Sequence, residues 1–304
     1  MKRLRERARV CAEVRRFFDA RGFLEVQTPI MVPSPGLDVH LDAFEVAGGD
    51  RGAPRWLSTS PEYQMKRLLA GGLSRIYQLA SCFRRGESGS RHNVEFTMVE
   101  WYRASAGMTE VLLDTEQLVA AVTGGRVVLG DRRIDTTPPF ERVAVCEAFA
   151  RYAGWSVEET LAAASNDEDR YFRTLVDVVE PALARHDRPV FLADFPASQA
   201  SLARRTHDDP RFAERFELYV AGVELCNGFG ELVDPVEQRQ RLVEDQTTRR
   251  ARGLPVYPID ERFLADLERV PPSGGNALGL DRLVALVCGT TDIAEAMAFT
   301  SDEV

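Results

Sequence analysis

An α+β fold, an antiparallel sheet with flanking helices, is the class this sequence predicts. Three observations carry that reading. Strand-like segments cluster, with RIYQLASCFR and VEFTMVEWYR together in the first third and RFELYVAGVELCNGFGEL in the last. The stretch between them, from about 108 to 213, reads as helical. Strands and helices are segregated rather than alternating as βαβ units, which disfavours a doubly wound sheet. With 304 residues, 44% of them hydrophobic, the expectation is one domain over 1–304, with about 108–213 as a largely helical insertion.

Residues 2 to 21 carry Leu4, Ala8, Cys11, Val14 and Phe18 at helical spacing, and Gly22 supplies the stop. The extended segment FLEVQTP follows, then a loop with Pro33, Pro35 and Gly36 and a strand expected around Leu41 to Val46. STSPEYQMKRLLAGG reads as a helix with Ser60 as N-cap, Pro61 at the first helical position and Gly71-Gly72 as the end. The two alternating segments after it form an antiparallel pair with a long loop containing residues 86 to 90. In the middle stretch, Ser156-x-x-Glu159 is a capping box and DEDRYFRTLVDVVEPAL an amphipathic run. Asp234-Pro235-x-Glu237 starts a helix expected to end near Gly253, and SGGNALGLDR reads as a Gly-rich turn before the apolar LVALVCG.

Composition excludes several classes. The opening MKRLRERARVCAEVRRFF is interrupted throughout by charge, unlike a secretory leader, and no apolar run approaches the roughly 20 residues of a membrane span. Five scattered cysteines and four histidines form no zinc or redox spacing, so reduced thiols in a cytoplasmic protein are expected. A net charge of -9 argues against non-specific polyanion binding, although Lys2, Arg3, Arg5, Arg7 and Arg9 could make a local basic patch or simply a solvated face.

Chemistry-bearing residues gather in the strands. If Ala221-Gly222 is a turn, Tyr219 lies opposite Glu224 and Glu217 opposite Cys226, so Glu217 and Glu224 share a face as diagonal neighbours. Such a pair suits magnesium with phosphate oxygens. The hairpin alone favours the plainer reading of two solvated glutamates on an exposed strand face. Glu100 and Tyr102 share a strand face with Phe96 and Met98, and a carboxylate beside a phenol suits a substrate ammonium or a plain polar edge. Arg84 and Arg85, next to a Gly-containing loop, and Arg282, near a helix start, could hold phosphate, yet neither GxxxxGK[ST] nor GxGxxG occurs.

Together these segments resemble the catalytic core of the class II aminoacyl-tRNA synthetases, and most closely their lysyl branch. Pro29, ending FLEVQTP, is similar to the first class motif, FRRGESGSRHNVEFTMVEWYR to the second and GLDR to the third. The likeness continues through TSPEYQMKRLL, FPASQASLAR and ELCNGFGEL. Lysyl-tRNA synthetases place an anticodon-binding domain before this core, and here the first motif falls too early for one. A core of this size standing alone resembles the elongation factor P (R)-beta-lysine ligases.

That resemblance implies ATP and Mg2+ as cofactors, (R)-beta-lysine or lysine as substrate, elongation factor P as acceptor protein, a homodimer, and transfer RNA as an improbable partner. It implies catalytic roles for Arg84 on the alpha-phosphate and substrate carboxylate, Glu224 on magnesium with Glu217, and Arg282 near the terminal phosphate. Arg85, Glu87, His92, Asn93, Phe96, Leu225 and Gly279 are implied at the nucleotide. Ser60, Pro61, Glu62, Glu100, Tyr102, Asn227 and Glu231 are implied at the amino acid. Two positions depart from the lysyl synthetase pattern: FRRGE puts Gly86 where FRxE has its acid, and Ala277 stands where the synthetases resemble one another in having glycine, as a residue expected to favour beta-lysine.

Overall fold

The computed structural model describes residues 2–304 and builds them around an eight-stranded sheet. In chain order the strands are β1 (Leu24–Glu25), β2 (Met31–Val32), β3 (Trp56–Leu57), β4 (Arg75–Phe83), β5 (Glu95–Ala104), β6 (Arg126–Leu129), β7 (Arg132–Asp135), β8 (Glu141–Ala144), β9 (Val190–Pro196), β10 (Phe212–Val220), β11 (Val223–Gly230) and β12 (Ser273–Gly279). The helices are α1 (Lys2–Asp19), α2 (Glu62–Ala70), α3 (Met108–Thr123), α4 (Val145–Ala153), α5 (Val157–Asn166), α6 (Glu168–Thr174), α7 (Glu180–Leu183), α8 (Pro235–Ala251), α9 (Glu261–Leu267) and α10 (Leu280–Val287). A π-helical turn, Leu175–Val179, joins α6 to α7. The main sheet runs β1-β4-β5-β12-β11-β10-β9-β8. Every pairing from β4 to β9 is antiparallel, and only the edge strands β1 and β8 pair in parallel.

Strand alternation gives the sheet two faces. One packs Tyr77, Val99, Trp101, Phe216, Leu218 and Leu278 under α1, α3 and α10. The other carries polar side chains and is partly covered by α2, α8 and α9 through Tyr63, Met65, Leu69, Leu242 and Phe263. Helix α1 ends as expected, with Gly22 at φ 72°. Its buried stripe is Val10, Val14, Phe17 and Phe18, whereas Leu4 and Ala8 are exposed. The inward residue of its first turns is Arg7, which pairs with the buried Asp281 and donates to Thr97 Oγ1 at 2.9 Å. Of the basic run only Arg7 is thus drawn toward the interior, while Arg3 pairs with Glu295 and Arg9 with Glu6 on the surface.

Several elements differ from expectation for identifiable reasons. SGGNALG is no turn but the central strand β12, between β5 and β11. A Cβ on Gly274 would lie 2.5 Å from the Gly107 carbonyl, and one on Gly275 2.3 Å from the Tyr102 ring. The glycines therefore reflect close approach on both faces rather than chain reversal. Residues 108–213 contain α3 to α7 but also β6 to β9, of which β8 and β9 extend the main sheet. Around Leu41 to Val46 only Glu45 forms a bridge, to Trp56. Helix α2 starts one residue later than expected; Ser60 Oγ still accepts from the Glu62 amide at 3.1 Å. Ser156 and Asp234 cap their helices, the latter with Pro235 at the helix start, but the Glu159 carboxylate pairs with Arg170 instead of closing a capping box.

Candidate active site

Register places the site. A single row crosses five strands: Gln78 on β4 is paired with Glu100 on β5, Glu100 with Ala277 on β12, Ala277 with Asn227 on β11, and Asn227 with Glu217 on β10. Directly paired residues project to the same face. The row therefore puts five of these side chains in one line on the polar face. At one end, Gln78 Oε1 accepts from the Thr28 amide at 3.2 Å and hydroxyl at 3.0 Å, tying the row to the segment around Pro29.

The turn at Ala221-Gly222 is as expected, with φ 51° and 82°. The register beyond it is not. Glu217 faces Asn227 rather than Cys226, because the pairing shifts after Tyr219↔Glu224. The extra residue on β11 is Leu225, whose side chain joins the core beside Cys226. This bulge lets Glu224 and Asn227, three residues apart, lie in the line of the same partner-strand residues, Tyr219 and Glu217. Leu225 offers a ligand only its backbone.

Glu217 is buried and fully engaged: Oε1 accepts from Arg215 at 2.6 Å and Oε2 from the Tyr219 hydroxyl at 2.7 Å. Burial raises its carboxyl above the ordinary range against the pull of Arg215. Glu224 is more open, with 42% of its side chain exposed. A third carboxylate went unnoticed in the sequence. Glu180, at the end of the π turn, accepts from Tyr219 at 3.3 Å, and burial with Glu217 and Glu224 pushes it up to about 7. Among the described residues no three His, Cys, Asp or Glu side chains could hold a metal by themselves, so a cation here would depend on oxygens from phosphate and water.

The arginines divide. Arg84 lies 5.0 Å over the Phe96 ring, donates to the Thr59 carbonyl at 3.4 Å and stands 3.7 Å from Glu87. Arg85 instead pairs with Asp42 at 3.3 Å. Arg282 follows Asp281, which α1 and the Thr97 amide, 2.7 Å away, fix in place. Its guanidinium donates to the Glu224 carbonyl at 2.7 Å and reaches His92 Nε2 at 2.7 Å. Burial and the Arg282 charge lower the His92 basicity, which suits an acceptor toward that arginine. Asn93 is occupied by the chain itself, donating to the Glu95 carbonyl and accepting from Ser301. Gly86 adopts φ 86°, a conformation that disfavours the acid expected at that position. Gly279 sits at the junction of β12 and α10.

The other half of the site is a pocket of buried carboxylates. Glu100 is fully buried and accepts from Ser60 Oγ at 2.6 Å and the Tyr102 hydroxyl at 3.0 Å. Burial, with Glu62 adding to it, pushes its carboxyl up to about 8. Glu231, 1% exposed, is raised to about 7, mainly by burial. Neither of its oxygens has a hydrogen-bond partner. Asn227 Oδ1 is likewise buried without one. Gly275 leaves this space clear, since a Cβ there would lie 2.4 Å from Glu231 Oε1. The sequence also concealed Lys66, a fully buried ammonium 2.6 Å from both Glu62 Oε1 and Glu231 Oε2. The Glu62-x-x-x-Lys66 spacing was its only signal.

The sheet thus sets arginines and buried carboxylates on one polar face, and the comparison with known families agrees with such a site. The model of the class II tRNA synthetases (D, K and N) covers residues 1–303. The chain belongs to the class II tRNA synthetases. Within this family it is similar to proteins named elongation factor P–(R)-beta-lysine ligase: 42% identical to that of Klebsiella pneumoniae (strain 342), 42% to that of Enterobacter sp. (strain 638) and 43% to that of Edwardsiella ictaluri (strain 93-146). Each match covers 98% of this chain and 95% of the relative. Among the described residues of this class II chain, no helix is long and apolar enough to cross a membrane.

Proposed function

We propose that the protein uses ATP to activate (R)-beta-lysine, or lysine, as an aminoacyl-adenylate and transfers it to a lysine side chain of elongation factor P in the cytoplasm. The observation that carries this reading is the carboxylate set on a class II sheet: Glu100 and Glu231, both buried, with the part-buried Glu62. Isolated buried carboxylates are costly, and ammonium groups offset that cost. In the first step a substrate carboxylate oxygen attacks the alpha-phosphorus and pyrophosphate leaves. In the second the acceptor amine attacks the acyl carbon, an amide forms, and AMP and a proton depart. Arg84 neutralises the alpha-phosphate and aligns the substrate carboxylate, while Arg282 faces the leaving phosphates.

Glu217 and Glu224 are the residues that would hold Mg2+, which supplies charge neutralisation on the phosphates. Their oxygen-only character fits that ion. Phe96, capped on one side by Arg84, provides an aromatic face for adenine. We read the protein as a homodimer through the segment around Pro29, where Leu24, Ile30 and Met31 are exposed by 53%, 46% and 45%.

Pyrophosphate exchange tests the substrate class: it should appear with either lysine isomer and not with 2-aminohexanoate, and exchange with the latter would reject the two-ammonium pocket. Ala277, directly opposite Glu100 and Asn227, stands where a methyl shapes the pocket floor. Ala277→Gly should relax the preference for beta- over alpha-lysine by roughly 1–3 kcal/mol in kcat/KM. An unchanged ratio assigns Ala277 to packing against Phe96 and Met98.

Protonation offers a further check. With its carboxyl at about 8, Glu100 holds a proton in the empty pocket at neutral pH, and an arriving ammonium displaces it. The bound state thus favours the ionised form, so affinity should rise with pH up to about 8. Calorimetry near neutrality in buffers of different ionisation enthalpy should find about one or more protons released per lysine bound. No release would place Glu100 already ionised.

A further inference from the structure

We infer that Lys66 sets the charge selectivity of the amino-acid pocket, neutralising one of its three carboxylates and holding Glu62 and Glu231 in position so that two negative charges remain for a substrate with two ammonium groups. The inference deepens the reading above and rests on it.

Lys66 lies on α2, four residues after Glu62, and its side chain is 0% exposed. Its Nζ donates to Glu62 Oε1 at 2.6 Å. It is equally close to Glu231 Oε2, at 2.6 Å, so the ammonium pairs with both carboxylates. Glu231 Oε1 consequently stays buried and unpartnered, over the gap left by Gly275. Burial alone would strip the Lys66 proton, but Glu231 and Glu62 outweigh it and hold the ammonium above its ordinary value.

One other cation acts on Glu231 and is already paired with a carboxylate of its own. Arg204 faces Glu231 but is engaged by Glu214 in a two-pronged pair at 2.8 and 2.7 Å. Glu100 is held only by the neutral hydroxyls of Ser60 and Tyr102. Three carboxylates and one fixed ammonium therefore leave a deficit of two positive charges. A diamine fills it, whereas a mono-amine leaves one carboxylate either protonated or without a counter-charge and forgoes that ion pair. Lys66 is a positioning residue here: it acts on the substrate through Glu62 and Glu231.

The test compares pyrophosphate exchange in wild type, Lys66→Met, Glu231→Gln and the double variant. Lys66→Met should raise KM for the lysine substrate by about tenfold or more and leave KM for ATP within about twofold. In the Glu231→Gln background the same change should cost about threefold or less, because one of the two carboxylates through which Lys66 acts is already neutral. An unchanged KM for lysine, an equal rise in both KM values, or fully additive effects would overturn the assignment. If Lys66→Met does not fold, Lys66→Arg takes its place: the bulkier, planar cation should still raise KM for lysine while leaving KM for ATP within about twofold, and an unchanged KM for lysine overturns the assignment. A wild type inactive with both lysine isomers overturns the pocket reading and this inference together; an active wild type with an indifferent Lys66→Met overturns this one alone.

Discussion

Glu224→Gln is expected to reduce lysine-dependent pyrophosphate exchange by on the order of 10²–10³ or more while leaving the fold intact. The substitution keeps the shape of a side chain that is 42% exposed, so its effect on stability should be small, about 0.5 kcal/mol or less. What it removes is the accessible negative charge of the corner. Glu217, with both oxygens already taken by Arg215 and Tyr219, is fixed in place, and Glu224 is the partner with freedom to meet a phosphate-bound cation. The Arg282 bond to Glu224 uses chiefly the main-chain carbonyl, which the variant retains. Exchange at the wild-type rate would remove the magnesium role from this pair.

The second large effect is expected at Arg84. Replacement by alanine should lower kcat for exchange by on the order of 10²–10³, since a fixed cation aimed at developing phosphate charge acts mainly in the transition state. The side chain is held between the Phe96 ring and the Thr59 carbonyl, so little reorganisation precedes reaction. Arg84→Lys should recover only part of the loss, because an ammonium keeps the charge but lacks the planar two-pronged geometry. A lysine variant with full activity would reduce Arg84 to a point charge, and an unaffected alanine variant would remove it from the chemistry.

The sequence disclosed what depends on local spacing. Alternation in β4 and β5 put Glu100 with Tyr102, the Ala221-Gly222 turn set the β10–β11 hairpin, and the caps at Ser156 and Asp234 marked their helices. Non-local features stayed hidden. The one-residue bulge at Leu225 cannot be read from alternation, which would set Asn227 and Glu224 on opposite faces; tertiary packing of Leu225 and Cys226 decides it. Glycines in SGGNALG look like turn residues until helix α3 and Tyr102 crowd them from either side. Lys66 reads as one more basic residue on an amphipathic helix, because its burial depends on Glu231, far along the chain. Asp281 likewise acquires its purpose only when α1 brings Arg7 against it. Arg85 is the converse case, a residue beside the right motif that the fold turns toward Asp42.

The identity of the acceptor is read from the intact mass of elongation factor P. The factor would be incubated with the enzyme, ATP, magnesium and either lysine isomer, with a parallel transfer RNA acylation assay. A mass gain of one lysyl residue on the factor, greater with (R)-beta-lysine, is expected, with transfer RNA left unacylated. Acylated transfer RNA beside an unmodified factor would contradict that expectation and make the chain a minimal synthetase.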